Sequence, residues 1–107
     1  MLEYVYRFTI EKSKQSEFIE WLRANEDQLR AHPRPGWTYL GTFMTVGAFG
    51  EYDGESRWEL DSYASLGEGW GDEVARQLLG EFLDSTDNVH RQANLLRNVA
   101  TVSTPTD

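Results

Sequence analysis

Residues 2–10 alternate along the chain, with Leu2, Tyr4, Tyr6, Phe8 and Ile10 on one side and Glu3, Val5, Arg7 and Thr9 on the other. A period of two held over this length, in residues rich in aromatics, predicts a β-strand with one face to be covered. The cover follows at once. Ser13 can cap a helix running from about Lys14 to Ala31, with Phe18, Trp21, Leu22 and Leu29 on one side and Glu17, Glu20, Arg23 and Glu26 filling the rest. Two prolines and a glycine between His32 and Gly36 forbid its continuation.

Trp37 to Val46 is rich in β-branched and aromatic residues and predicts a second strand. Gly41, Gly47 and Gly50 point to a bulge or bend toward its far end. The dipeptide Asp53-Gly54 predicts a tight hairpin turn into a third strand over about Glu55 to Tyr63. Ser65 and Glu68 have capping-box spacing, and Leu66, Trp70, Val74, Leu78 and Phe82 recur every four residues. Glycines at 67, 69 and 71 interrupt that start, so the firm helix is expected over Asp72 to Ser85. Gln92 to Val102 returns to extended character, and Ser103 to Asp107 is expected to fray.

The order βαββαβ predicts an α+β, ferredoxin-like domain over residues 1–107, a four-stranded antiparallel sheet with both helices on one face. The core is expected where Leu2, Tyr4, Tyr6, Phe8 and Ile10 meet Phe18, Leu22, Val74, Leu78 and Phe82. The other sheet face carries Arg7, Thr9, Arg57, Glu59, Asp61 and Tyr63. Such a face is either solvated or covered, and a second copy docked through Val5, Thr9 and Tyr63 would cover it with two-fold symmetry.

Charge narrows the partners. The net charge is −8, and the ten basic residues form no stripe, which argues against nucleic acid and anionic membranes. There is no cysteine, which removes disulfides and thiolate nucleophiles. Met1 to Tyr4 lacks the basic and apolar regions of a signal peptide, and no apolar run reaches the roughly 20 residues of a membrane span, so a cytoplasmic location is expected.

Candidate chemistry is sparse. His32 and His90 lack the spacing of a metal site, and His32 reads as a helix C-terminal residue favoured by the dipole. The glycines at 67, 69 and 71 fail the dinucleotide pattern, because Asp72 stands where glycine is needed and Glu68 and Asp72 repel phosphate. No metal and no cofactor are expected. Glu59 and Asp61, two apart on one strand, could divide acid and base roles only if their surroundings separated their pKa values. A catalyst built from this inventory would use His90 as base, Tyr39 and Arg57 as hydrogen-bond donors, and Trp21, Trp37 or Trp70 as a platform for an aromatic substrate.

The βαββαβ order, together with the stretches 14–21 and 58–66, resembles the dimeric α/β-barrel superfamily, which includes antibiotic-biosynthesis monooxygenases, haem-degrading monooxygenases and stress-responsive barrel proteins. Its members often carry a Glu on the third strand and a Ser-containing turn into the second helix, matched here by Glu59 and by Ser62 or Ser65. The resemblance implies a homodimer with sheets packed face to face and a pocket between sheet and helices in each copy. The haem-degrading members have an Asn on the first strand and a His tied to the second helix, whereas this chain has Tyr4 and Tyr6 there and no His in that helix. Two functions are implied. One is a cofactor-independent, monooxygenase-like enzyme acting on an aromatic or polyketide-like substrate. The other is a non-catalytic ligand-binding or dimerisation module.

Overall fold

The computed structural model describes residues 2–45, 52–67 and 72–97. Six elements follow one another: β1 (Leu2–Thr9), α1 (Gln15–Ala31), β2 (Trp37–Met44), β3 (Gly54–Leu60), α2 (Glu73–Asp84) and β4 (Asp87–Arg97). The strands form one antiparallel sheet in the order β2-β3-β1-β4, which is the ferredoxin-like arrangement anticipated from the element order.

Alternation along β1 sets the layers. Leu2, Tyr4, Tyr6 and Phe8 face the helices, and their ladder partners Leu60, Trp58, Ser56 and Gly54 on β3 face the same way. Phe8 is fully buried with Phe18 of α1 and Phe82 of α2 in a cluster whose ring centroids lie 5.1–5.7 Å apart. A second buried cluster joins Leu2, Trp37 and Leu60 at the other end of the sheet. Burying three aromatic rings against one another contributes both area and edge-to-face contacts, each pair worth about 0.5–1.5 kcal/mol beyond its area.

Several boundaries differ from the sequence expectation. A 3₁₀ turn, Lys12–Lys14, precedes α1, so Ser13 lies inside that turn and no side chain caps the helix. The cap of α2 is Asp72, whose carboxylate accepts from the Ala75 N–H at 2.8 Å. Ser65 sits instead in a 3₁₀ turn over Tyr63–Gly67, and its capping-box partner Glu68 lies outside the described residues. Val74 is exposed, and Ala75, Leu78 and Phe82 form the buried stripe.

Asp53-Gly54 is not a two-residue turn. Gly54 is already in the ladder opposite Met44, and the connection closes where the Thr45 N–H donates to the Asp53 carbonyl at 2.8 Å. The Asp53 carboxylate accepts from the Ile10 N–H at 2.7 Å, tying the β2–β3 connection to the end of β1. The bulge expected in β2 falls at Tyr39 and Gly41, where Gly41 has φ +148, a conformation that suits a residue without Cβ. The strand β4 begins at Asp87 rather than Gln92, so the backbone of His90 lies within it. Val46, Gly47, Gly50, Trp70 and the 103–107 tail lie outside the described residues.

On the face away from the helices, Glu3, Val5 and Arg7 alternate with Glu59, Arg57 and Glu55 across the β1–β3 ladder. Arg57 ion-pairs with Glu55 at 2.9 Å and approaches Glu3 at 3.9 Å. Val5 is nonetheless 2% exposed, because it sits mid-sheet with Arg57 and Asn94 as its ladder neighbours. Among the described residues no helix is long and apolar enough to cross a membrane.

Candidate functional site: a cavity between sheet and helices

The aromatic residues on the helix side of the sheet do not close completely against α1 and α2. They leave a cavity of about 280 Å³ under the last turn of α1 and the buried stripe of α2. Tyr4, Tyr6 and Trp58 supply its sheet wall, Trp37 one end, and Ala75, Leu78 and Phe82 the helix wall. Bulky rings prop the layers apart: Tyr4 meets Trp37 edge-on at 5.0 Å, Trp37 meets Trp58 at 5.9 Å, and Tyr6 meets Phe82 at 6.0 Å.

The wall polar groups are mostly satisfied by the protein. The Trp37 indole N–H donates to the Ser65 carbonyl at 2.8 Å, and the Trp58 indole N–H donates to Ser56 Oγ at 3.2 Å. Both indoles therefore offer a ligand only ring surface. The hydroxyl of Tyr6 is different: it is buried and has no hydrogen-bond partner among the described residues. A buried unpaired hydroxyl costs on the order of 1–3 kcal/mol.

The rim comes from the chain leaving α1. His32, the residue after the helix, places Nδ1 2.9 Å from Asp72 Oδ2, so the C-terminus of one helix is joined to the cap of the other. That hydrogen bond, followed by the one from the Ala75 N–H, holds the Asp72 carboxyl below its ordinary range. Arg34 stacks its guanidinium 4.6 Å above the Trp37 ring and donates to the Leu66 carbonyl at 3.2 Å. Burial pushes the Tyr4 phenol up, its neighbour Tyr6 adds to the effect, and Arg34 and Arg91 oppose it.

The residues named from sequence as catalytic are not assembled here. Arg57 is on the opposite sheet face, paired with Glu55 and lying 5.2 Å from the Phe43 ring. Tyr39 is buried away from the cavity, its hydroxyl donating to Glu26 on α1 at 3.1 Å and sharing a 2.6 Å hydrogen bond with Thr42. Burial pushes its phenol up to about 12. The side chain of His90 lies outside the described part of the structure. Of the proposed platform, Trp37 lines the cavity. Trp21 packs on Phe18 and donates to Glu81 at 2.7 Å, and Trp70 lies outside the described residues.

The residues that sequence reasoning passed over are Tyr6, His32, Arg34 and Arg91. Tyr6 was read as core and His32 as a helix terminator. The available signal was a histidine and an arginine flanking the proline that ends α1, next to an aromatic strand. No group of three or more potential metal ligands occurs among the described residues.

No family model matches the chain, and no curated protein does either. Solved structures do. An uncharacterised NIPSNAP domain protein from Burkholderia xenovorans is 14% identical with a TM-score of 0.67, covering 95% of this chain and 98% of that one. A dimeric ferredoxin-like protein of unknown function from Thermobifida fusca is 16% identical with a TM-score of 0.66, covering 89% of this chain and 88% of that one. A structure described as antibiotic biosynthesis monooxygenase is 15% identical with a TM-score of 0.62, covering 92% of this chain and 99% of that one. The chain has the ferredoxin-like fold, and at these identities the expected resemblance is borne out as fold.

Proposed function

We propose that this protein binds a flat, largely apolar small molecule in the cavity between sheet and helices, and that it does so as a homodimer. The observation that carries the binding reading is the cavity itself, walled by the rings of Tyr4, Tyr6, Trp37, Trp58 and Phe82 and by aliphatic side chains. Its volume, about 280 Å³, is near the lower end of the roughly 300–1,000 Å³ of ligand pockets, which suits a molecule of one or two fused rings.

The dimer reading rests on the other sheet face. Phe43 on β2 is 49% exposed and Leu96 on β4 is 47% exposed, at the two edges of a face whose centre is a charged ladder. A two-fold axis through the sheet would bring Phe43 of each copy toward Leu96 of the other, while Arg57 and the glutamates beside it pair across the centre. Two similar structures are described as dimeric and ferredoxin-like, which supports a dimer. Light scattering at micromolar concentration should give twice 12.3 kDa, and a monomer mass would reject it.

An oxygenase reaction is the finer reading, supported by the name of one similar structure and by the same aromatic cavity. In it His32 is the imidazole at the cavity and the rings of Tyr4 and Trp37 the platform for the substrate. Binding is tested first. In a ¹H–¹⁵N titration with 2-naphthamide, the indole signals of Trp37 and Trp58 should shift and that of Trp21 should not. Uniform small shifts, or none at saturating solubility, would reject the cavity as a binding site.

A further inference from the structure

The protein carries eighteen acidic residues against ten lysines and arginines, yet among the described residues the charged side chains lining the cavity are Arg34 and Arg91, with the His32 imidazole beside them. Among the described residues no aspartate or glutamate lines it. Scattered surface charge in so acidic a chain would put carboxylates there more often than cations. Resting on the binding reading above, we infer that the cavity takes an aromatic anion, a carboxylate or phenolate whose ring lies among Tyr4, Trp37 and Phe82 and whose charge lies in the field of Arg34 and Arg91.

The placement of the cations supports this. Arg34 is held over the Trp37 ring at 4.6 Å, so its guanidinium sits at the edge of the aromatic wall. Arg91 enters from β4, opposite Phe8, on the helix side of the sheet. Arg34 thus lies at the Trp37 end of the cavity and Arg91 at the level of Phe8, and both oppose the rise of the Tyr4 phenol that lies between those levels. His32 lies at the rim near Arg34, its Nδ1 hydrogen-bonded to Asp72 at 2.9 Å. A guanidinium presents forked donors that match a carboxylate, and apolar walls strengthen the attraction by excluding water.

A matched pair of probes separates this inference from the binding reading. Calorimetric titration with 2-naphthoate and with its neutral isostere 2-naphthamide, at low ionic strength, should show the anion binding about tenfold or more tightly. Arg91→Gln and the double variant Arg34→Gln/Arg91→Gln should lower the ratio of naphthoate to amide affinity stepwise toward unity, with thermal melts reporting that each variant is folded. In the unaltered protein, raising the salt to about 0.5 M should erode the same preference, because partly exposed charges are screened. If the amide binds as tightly as naphthoate, or if the preference survives both Arg91→Gln and high salt, the anion inference is overturned while the aromatic cavity stands. If neither probe binds, both readings fall.

Discussion

Replacing Phe8 by alanine perturbs the part of the fold on which everything else depends. The Phe8 ring is fully buried, with the rings of Phe82 at 5.1 Å, Phe18 at 5.4 Å and Tyr6 at 6.1 Å. Removing a ring with roughly 150 Å² of buried apolar surface forfeits about 4 kcal/mol at ~25 cal/mol per Å². Measured phenylalanine truncations in cores fall at about 3–5 kcal/mol, which includes the cavity left behind. With a urea m-value of about 1–3 kcal/mol per M, the midpoint should fall by about 2 M with the slope unchanged. Parallel urea melts followed by circular dichroism measure this directly. Phe43→Ala is the control: it removes an equal ring from the exposed sheet face. At protein concentrations low enough to dissociate a dimer it should change stability by no more than about 0.5 kcal/mol. A Phe8→Ala shift below about 1 kcal/mol, or equal shifts in the two variants, would refute the assignment of the core to this face.

Three other perturbations follow. Gly36 has φ +81, and a Cβ there would collide with Ser65 Oγ, so Gly36→Ala should destabilise by about 1–3 kcal/mol in thermal melts. The buried Tyr39 phenol, pushed up to about 12, favours its neutral form in the folded state. Its contribution is fully present below the ordinary value near 10 and is lost as pH rises through 12. Relative to Tyr39→Phe, the unaltered protein should therefore lose on the order of 2–3 kcal/mol over that window in alkaline urea melts. The Asp72 carboxyl is held low, so its contribution is present above the ordinary carboxylate value near 4 and is lost as pH falls through its folded pKa. The stability gap between the unaltered protein and Asp72→Asn should shrink in acid; a gap that widens there would contradict the His32–Asp72 pairing.

The fold was legible because two periods matched: alternation from Leu2 to Phe8, and buried positions Phe18, Leu78 and Phe82 at helical spacing. Errors arose where one residue shifts a phase or a tertiary contact recruits a turn residue. Val74 and Ala75 are adjacent, and repeating every four residues from Leu66 picks the exposed one, since 3.6 residues per turn drifts from four. Asp53 looked like a turn residue, but its carboxylate serves the Ile10 N–H, 43 positions away.

The site was less legible, for the same reason. Trp37 could be named, because a tryptophan opening a strand must pack somewhere. His32 and Arg34 could not, since their chemistry comes from Asp72, 40 positions on, and from the Trp37 ring beneath Arg34. Arg57 looked like a donor in isolation, but alternation along β3 sends it to the face opposite Trp58 and the cavity.

The central claim is that the space between sheet and helices is where a ligand binds, in preference to the exposed apolar residues of the other sheet face. Intermolecular nuclear Overhauser contacts from 2-naphthamide at saturating concentration test it most directly. Contacts to the rings of Tyr4, Trp37 and Phe82, with none to Phe43 or Leu96, are the predicted result. Contacts confined to Phe43 and Leu96 would contradict it.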